Sequence, residues 1–299
     1  GRSLNTYDGD SVSVDPRVTP AGKCNPPASA PKDRTPATFS RSRAAAVAPR
    51  VYRVTQPGER YMGSTRRSTS PRLTPELVAL IARQVDDRGP APGVVVHNED
   101  DYEASLQSLL AAGGWQGEDV WVFAYGSLLW NPAFEVAEQV PAVLQGWHRA
   151  FCIQLTRFRG TPEQPGLMMS LIPGGSCRGA VCRIAGAGVV DNLRKLLRRE
   201  MTVKPPNTPP RWVVAKAAGS AVRAVVFAAD RQGRNFVGGL TDEEIASILC
   251  SAVGHWGSGA EYLMQTVDQL ERLGVRDANL WRLQRLVAQR LSTPQFTGA

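Results

Sequence analysis

The chain has 299 residues, of which 42% are hydrophobic, and a formal net charge of +8. The excess positive charge lies in residues 1–72, which contain 13 basic and 5 acidic residues, whereas residues 73–299 contain 22 of each. A nucleic-acid-binding domain normally carries its positive charge on the folded part. This distribution therefore argues against a nucleic-acid partner and favours a small-molecule site in residues 73–299.

Other features of the composition argue against a membrane span and a disulfide framework. The sequence contains no run of 18 apolar residues, so no transmembrane helix is predicted, and no apolar signal-peptide core lies near its start. The cysteines number five, an odd count that does not suggest a secreted, disulfide-rich fold. We therefore expect a cytoplasmic location and no membrane partner.

Residues 1–72 are rich in Pro, Ser, Thr, Arg and Ala and lack apolar periodicity. Such a segment cannot bury enough apolar surface to offset its ordering entropy, so it is predicted to be a disordered, basic, low-complexity tail. Two interpretations remain open. The segment before Met62 is either an over-extended reading frame or an Arg-rich, acid-poor organelle-targeting peptide. Residues 73–299 are predicted to form the folded domain.

The predicted elements begin after this tail. Thr74-Pro75-Glu76 predicts the start of a short helix over 77–85, and apolar spacing predicts a second helix over 100–112. The glycine-rich stretch 174–179 lacks the Lys-Ser/Thr pair of a phosphate-binding loop and predicts a hairpin turn. Seven short strands are predicted, over 120–125, 139–144, 150–156, 167–173, 179–184, 212–217 and 221–229.

Helices interrupt and follow these strands. A helix over 189–201 is stopped by the Pro-rich stretch 204–210. Strands that come first, with helices packing afterwards, predict an α+β fold built on a small mixed or antiparallel β-barrel. Three C-terminal helices are predicted: one opened by the Thr241–Glu244 capping box and ending near Val253, one over 260–273, and one capped by Asp277.

The stretch around Gly126 joins a buried strand to a sharp turn. The run from Val120 to Phe123 has no polar residue, which is typical of a strand covered on both faces. Gly126 then lets backbone N–H groups point at a ligand. On spacing alone, the turn at Tyr125-Gly126-Ser127-Leu128 is equally well interpreted as a plain strand corner.

Glu200 lies on the buried face of the helix predicted over 189–201. It follows Leu196 by four residues and Leu197 by three, so it shares their face. A carboxyl group there loses solvent, which raises its pKa towards the range that suits a general base. The alternative is structural: Glu200 pairs with Arg199 or another basic residue, or reaches solvent at the helix end.

No metal or cofactor motif accompanies these residues. Cys177 and Cys182 are five positions apart without a second Cys or His pair, so a zinc site is not predicted. The three histidines, His97, His148 and His255, are scattered along the chain. No cofactor is expected.

Several separate segments, in order, resemble the ChaC-type γ-glutamylcyclotransferases over about residues 73–290. The resemblance rests on Trp121 to Pro132, Gly146 to Cys152, Arg159 to Glu163, Pro165-Gly166-Leu167, Arg199-Glu200-Met201, Gly238-Gly239-Leu240 and Tyr262-Leu263. It implies that residues 73–299 form the catalytic domain of an enzyme that cleaves glutathione to 5-oxoproline and cysteinylglycine without a metal. The family's catalytic glutamate falls on Glu200, and its substrate-binding loop falls on Tyr125, Gly126, Ser127 and Leu128.

Two departures from the family pattern and two rival functions accompany this resemblance. Ala124 stands where glycine is common, and Lys204-Pro205-Pro206 replaces the usual segment after the helix, which affects the pocket rim. One rival function is a cyclotransferase for other γ-glutamyl peptides or amines. The other is a non-catalytic regulatory or binding protein whose basic tail docks on a membrane or on nucleic acid.

Overall fold

A computed structural model describes residues 71–293 of the chain. The tail predicted over residues 1–72 lies outside the described residues, apart from its last two positions. Within residues 71–293, no helix has both the length and the apolar character needed to cross a membrane.

The first helix is shorter than predicted. Helix α1 spans Pro75–Ala79, whereas the sequence predicted a helix to residue 85. Residues 80–98, which we call the strap, run without regular structure to the next helix, and long-range contacts hold them in place. The Asp87 carboxylate, for example, accepts hydrogen bonds from Arg157 Nε at 2.7 Å and Nη2 at 2.6 Å. Helix α2 then spans Glu99–Gly113 and begins with a capping box made by Asn98 and Asp101.

Five strands form a closed barrel in the order β1-β3-β2-β4-β5. The strands β1 and β5 pair in parallel and the other neighbours pair antiparallel, so the predicted mixed barrel is confirmed. The interior is filled by side chains such as Phe123 and Leu171, both fully buried. The strands are β1 (Val120–Ala124), β2 (Glu138–Leu155), β3 (Gly166–Ile184), β4 (Pro210–Ala217) and β5 (Ser220–Phe227).

The prediction of a hairpin turn at 174–179 is wrong. Four of the predicted strands are the halves of two long strands, β2 and β3, which pair along almost their whole length. Gly174 and Gly175 have φ angles of 110° and 68° and lie opposite a register shift between Gln145 and Trp147. Positive φ at glycine accommodates a bulge as readily as a turn, and here the ladder continues past the bulge.

Helix α3 packs against α2, and the C-terminal helices pack against one another and against β3. Helix α3 spans Val189–Glu200, and its Leu193, Leu196 and Leu197 are fully buried, as predicted. The capping box at Thr241 and the cap at Asp277 are confirmed. Two short paired strands lie between the first two C-terminal helices. The C-terminal elements are α4 (Asp242–Ser251), β6 (Val253–Gly254), β7 (Gly257–Ser258), α5 (Gly259–Arg272) and α6 (Ala278–Leu291).

Candidate active site

Strand β1 ends at a turn whose backbone passes very close to helix α5. Tyr125 and Gly126 leave the strand, and Ser127–Leu129 form one turn of 3-10 helix. A Cβ atom on Gly126 would lie 2.5 Å from the Tyr262 hydroxyl oxygen, so a larger residue does not fit without movement. Within residues 71–293, the N–H groups of Gly126 and Leu128 have no hydrogen-bond acceptor. They can therefore receive a carbonyl oxygen or an anionic group.

The side chain of Tyr125 is turned into the barrel. It is 8% exposed, and its hydroxyl donates a hydrogen bond to the Phe227 carbonyl at 2.7 Å. The hydroxyl also lies 3.4 Å from Ser170 Oγ. Burial raises the pKa of Tyr125 well above its ordinary value of 10.0. Its hydroxyl thus helps hold the strands around the turn together.

The Arg149 side chain holds the backbone of the turn in place by hydrogen bonding. The sequence did not indicate this role. Its buried guanidinium donates from Nε to the Tyr125 carbonyl at 2.7 Å and from Nη1 to Asp277 at 2.6 Å. It also donates to the Arg178 carbonyl. A buried arginine needs such partners because burying an unpaired charge costs several kcal/mol. Asp277, the cap of α6, is 128 positions away, so no local pattern could reveal the pair.

Glu200 is the last residue of α3, and its side chain is 17% exposed. Burial raises the pKa of the Glu200 carboxyl above its ordinary value of 4.5, and the nearby Arg199 guanidinium opposes that rise. The sequence left open that Glu200 has a structural role as the partner of Arg199 in an ion pair. Their charged groups make one contact, of 3.5 Å between Arg199 Nε and Glu200 Oε1. The terminal nitrogens of Arg199 are engaged elsewhere, donating to Ser127 Oγ at 3.0 Å and to the Asn131 carbonyl. Arg199 therefore links the acid to the turn.

Tyr262 of α5 completes the group around the turn. Burial, followed by the charge of Glu200, raises the pKa of Tyr262 to about 12, so its hydroxyl is protonated at neutral pH. The ring packs edge-on against Trp130 and Phe151, each with a centroid distance of 6.2 Å. The sequence placed Tyr262 within the family resemblance but gave it no role.

Two cavities meet at these residues. The inner cavity, of about 30 Å³, is lined by all five site residues proposed from the sequence, namely Tyr125, Gly126, Ser127, Leu128 and Glu200. The outer cavity, of about 1070 Å³, is lined by Ser127, Glu200 and Tyr262, among others. The acid and the glycine turn thus face one shared space, which is wide enough outside for a small organic molecule.

The strap supplies a wall of the outer cavity that the sequence did not indicate. Its Pro90, Val96 and His97, with Tyr102 of α2, line the space opposite the turn. The Lys204 N–H donates to the Val95 carbonyl at 2.8 Å and ties the strap to the segment after α3. The sequence departs from the family pattern at Lys204-Pro205-Pro206, and the strap contacts this segment at the rim of the outer cavity.

A closed mixed barrel with one buried carboxyl beside a glycine turn, open to a cavity of ligand size, defines a small-molecule enzyme of the α+β class. A family model described as ChaC-like protein matches residues 120–290. The chain belongs to this family.

The curated relatives that this chain resembles are named γ-glutamylcyclotransferases. A glutathione-specific γ-glutamylcyclotransferase of Escherichia coli (strain K12) is 38% identical over 178 residues, covering 59% of this chain and 76% of that protein. Glutathione-specific γ-glutamylcyclotransferase 1 of Homo sapiens is 27% identical over 158 residues, covering 52% of this chain and 71% of that protein. The crystal structure of a γ-glutamyl cyclotransferase specific to glutathione from yeast matches with a TM-score of 0.53. At 21% identity, over 57% of this chain and 96% of that one, the match supports the fold.

Proposed function

We propose that this protein cleaves glutathione by intramolecular aminolysis, releasing 5-oxoproline and cysteinylglycine, with Glu200 as the general base and acid. The observation that carries the proposal is that Glu200 and the Gly126 turn line one cavity. The substrate class rests on the relatives named above as glutathione-specific.

The reaction needs little more than positioned proton transfer. The α-ammonium group of the γ-glutamyl residue gives up a proton to the Glu200 carboxylate, and the amine attacks its own γ-carbonyl carbon. Because nucleophile and electrophile belong to one molecule, proximity is largely supplied by the substrate. The bond to the cysteine nitrogen then breaks as Glu200 gives its proton to that nitrogen. The second proton, which the attacking nitrogen loses as the lactam forms, passes through Glu200 to the released amine, which leaves as an ammonium group.

The turn is suited to stabilise the charge that develops during attack. The γ-carbonyl oxygen becomes anionic in the tetrahedral intermediate, and backbone donors fixed before the reaction stabilise such an oxygen effectively. The N–H groups of Gly126 and Leu128, which lack protein acceptors within residues 71–293, are the donors that we assign to it or to the α-carboxylate. Ser127 Oγ, held by Arg199 at 3.0 Å, lies beside them.

The test is formation of 5-oxoproline from glutathione by the wild type and by Glu200→Gln. We expect the substitution to keep the fold and to lower kcat by about 10²–10⁴-fold, the usual effect of losing a general base. Glu243→Gln is the matched control, because this exposed glutamate lies in the first turn of α4, outside both cavities. A wild-type rate in Glu200→Gln would remove Glu200 from the mechanism.

A second candidate substrate class is other γ-glutamyl peptides or amines. The volume of the outer cavity favours keeping this candidate, because about 1070 Å³ exceeds the usual upper size of a ligand pocket. Rates with glutathione and with γ-glutamyl-alanine, compared in one assay, separate the two.

We further propose that the protein acts in the cytoplasm, without a nucleic-acid or membrane partner, since residues 73–299 carry balanced charge.

A further inference from the structure

The lining of the outer cavity is strongly cationic. Glu200 is its one acidic side chain, against five basic ones: Arg157, Arg159, Lys195, Arg198 and Arg199. Such a lining attracts a substrate with more than one negative group. The question is which cation remains available to bind it.

Each of the four arginines already has a carboxylate partner. Arg157 pairs with Asp87 at 2.6 Å, Arg159 with Glu261 at 3.1 Å, Arg198 with Glu99, and Arg199 with Glu200 at 3.5 Å. Lys195 differs from them, because it forms no hydrogen bond or ion pair with any residue between 71 and 293. Its side chain is exposed at the cavity. An ammonium group there can bind an anionic ligand without breaking an existing pair.

The position of Lys195 suits the far end of a γ-glutamyl peptide. Lys195 precedes Glu200 by five residues on α3, which corresponds to about 7.5 Å along the helix axis. Glutathione carries one carboxylate at its reacting γ-glutamyl end and a second at its far end, two residues further on. Two extended residues span roughly 7 Å. With the reacting end between Glu200 and the Gly126 turn, the far carboxylate can lie within reach of the lysine.

We propose that Lys195 binds the far carboxylate of the substrate and is a specificity-determining residue that favours γ-glutamyl peptides over γ-glutamyl compounds without that group. This inference rests on the proposed function and assigns Lys195 no part in proton transfer. Because the lysine stem is long and the site is open to solvent, its contribution is to binding rather than to the chemical step.

The first experiment compares two substrates that differ only at the far end: glutathione and its C-terminal amide. For the wild type we expect a higher kcat/KM with glutathione, by about two- to fivefold, the scale of an exposed ion pair. Lys195→Met keeps the aliphatic stem and removes the charge. It should raise KM for glutathione by the same factor, leave kcat unchanged and leave the amide unaffected, so that the preference disappears.

Two controls address charge and fold. Lys195→Arg should retain most of the preference, because it keeps the positive charge. Lys216→Met should leave both substrates unchanged, since this exposed lysine lies on β4, outside the cavity. Raising the ionic strength should raise KM for glutathione more in the wild type than in Lys195→Met, because salt screens an exposed ion pair.

A binding measurement separates this inference from the proposed function. In the Glu200→Gln background, calorimetry gives Kd for glutathione without turnover, and adding Lys195→Met should weaken binding by the factor seen in KM. An unchanged Kd, or an unchanged preference for acid over amide, overturns the role of Lys195. Lysine-dependent binding of glutathione with no 5-oxoproline from the wild type overturns the proposed reaction alone.

Discussion

Gly126 shows how closely the turn after β1 approaches helix α5. After the Tyr262 hydroxyl at 2.5 Å, the next atom that a Cβ would meet is Met169 Cε at 3.4 Å. We expect Gly126→Ala to lower the melting temperature and to lower kcat/KM by about 10²-fold, since small displacements at a reacting centre are costly. Thermal melts and initial rates measure both effects.

A second substitution shows whether the hydroxyl is the cause. Tyr262→Phe removes the clashing atom and leaves the ring packed against Trp130 and Phe151. The double variant Gly126→Ala/Tyr262→Phe should therefore be less destabilised than the sum of the two single changes. If the stability changes of the two single variants simply add in the double variant, the clash between residue 126 and the Tyr262 hydroxyl is not the cause of the destabilisation.

The raised pKa of Glu200 has a consequence for stability. A carboxyl group that is more basic in the folded state than in the unfolded chain makes the folded state relatively less stable as pH rises. This loss of folding stability is absent at pH values below the ordinary pKa of 4.5 and complete above the raised pKa of the folded state. Glu200→Gln should therefore melt at a higher temperature than the wild type at neutral pH, and the gain should vanish in acid. A gain that persists in acid would contradict this origin.

Among the elements, the strap is the one that links the loops around the cavity. Asp87 binds Arg157, and His255 Nε2 of the β6–β7 turn lies 3.6 Å from the same carboxylate. The Arg157 guanidinium holds the pKa of Asp87 well below its usual range, so this contact persists at neutral pH. Phe158, next to Arg157, stacks on Trp256 with a centroid distance of 4.4 Å. One carboxylate therefore joins three segments of the cavity rim.

We expect Asp87→Asn to loosen the strap rather than the barrel. KM for glutathione should rise by less than about fivefold, the scale of a partly exposed ion pair, with kcat unchanged. Hydrogen exchange over residues 80–98 should become faster, because the strap loses its tie to Arg157. Asp191→Asn, which removes an exposed pair with Arg194 on α3, is the control. Equal exchange in both variants would contradict the role of Asp87.

At the scale of the whole molecule, the described residues contain the barrel, both cavities and every residue given a role. Their start is well anchored: Arg72 pairs with Asp268 at 2.7 Å and with Glu271 at 2.5 Å, and Leu73 is 2% exposed. We therefore expect a protein that begins at Pro71 to retain the kcat/KM of the full chain. Steady-state kinetics test this, and a large loss would favour the rival function in which the basic tail is essential.

Much of the fold could be predicted because it depends on neighbours in sequence. The buried run that ends at Gly126, the caps at Thr241 and Asp277, and the position of Glu200 on the face of Leu196 follow from side-chain spacing and capping chemistry. These determine where strands and helices begin and which face of each is apolar. The family resemblance added five residues that line the inner cavity, Tyr125, Gly126, Ser127, Leu128 and Glu200, but not the others.

Only the tertiary structure decided which distant residues meet. Gly126 and Tyr262 lie on β1 and α5, Asp87 and Arg157 are 70 positions apart, and the bulge at Gly174 depends on its partner strand rather than on its own turn chemistry. Local spacing cannot specify such pairs, because they arise when the barrel closes and brings its strand ends beside the helices. The wall formed by the strap, and with it the shape of the outer cavity, was determined at that stage.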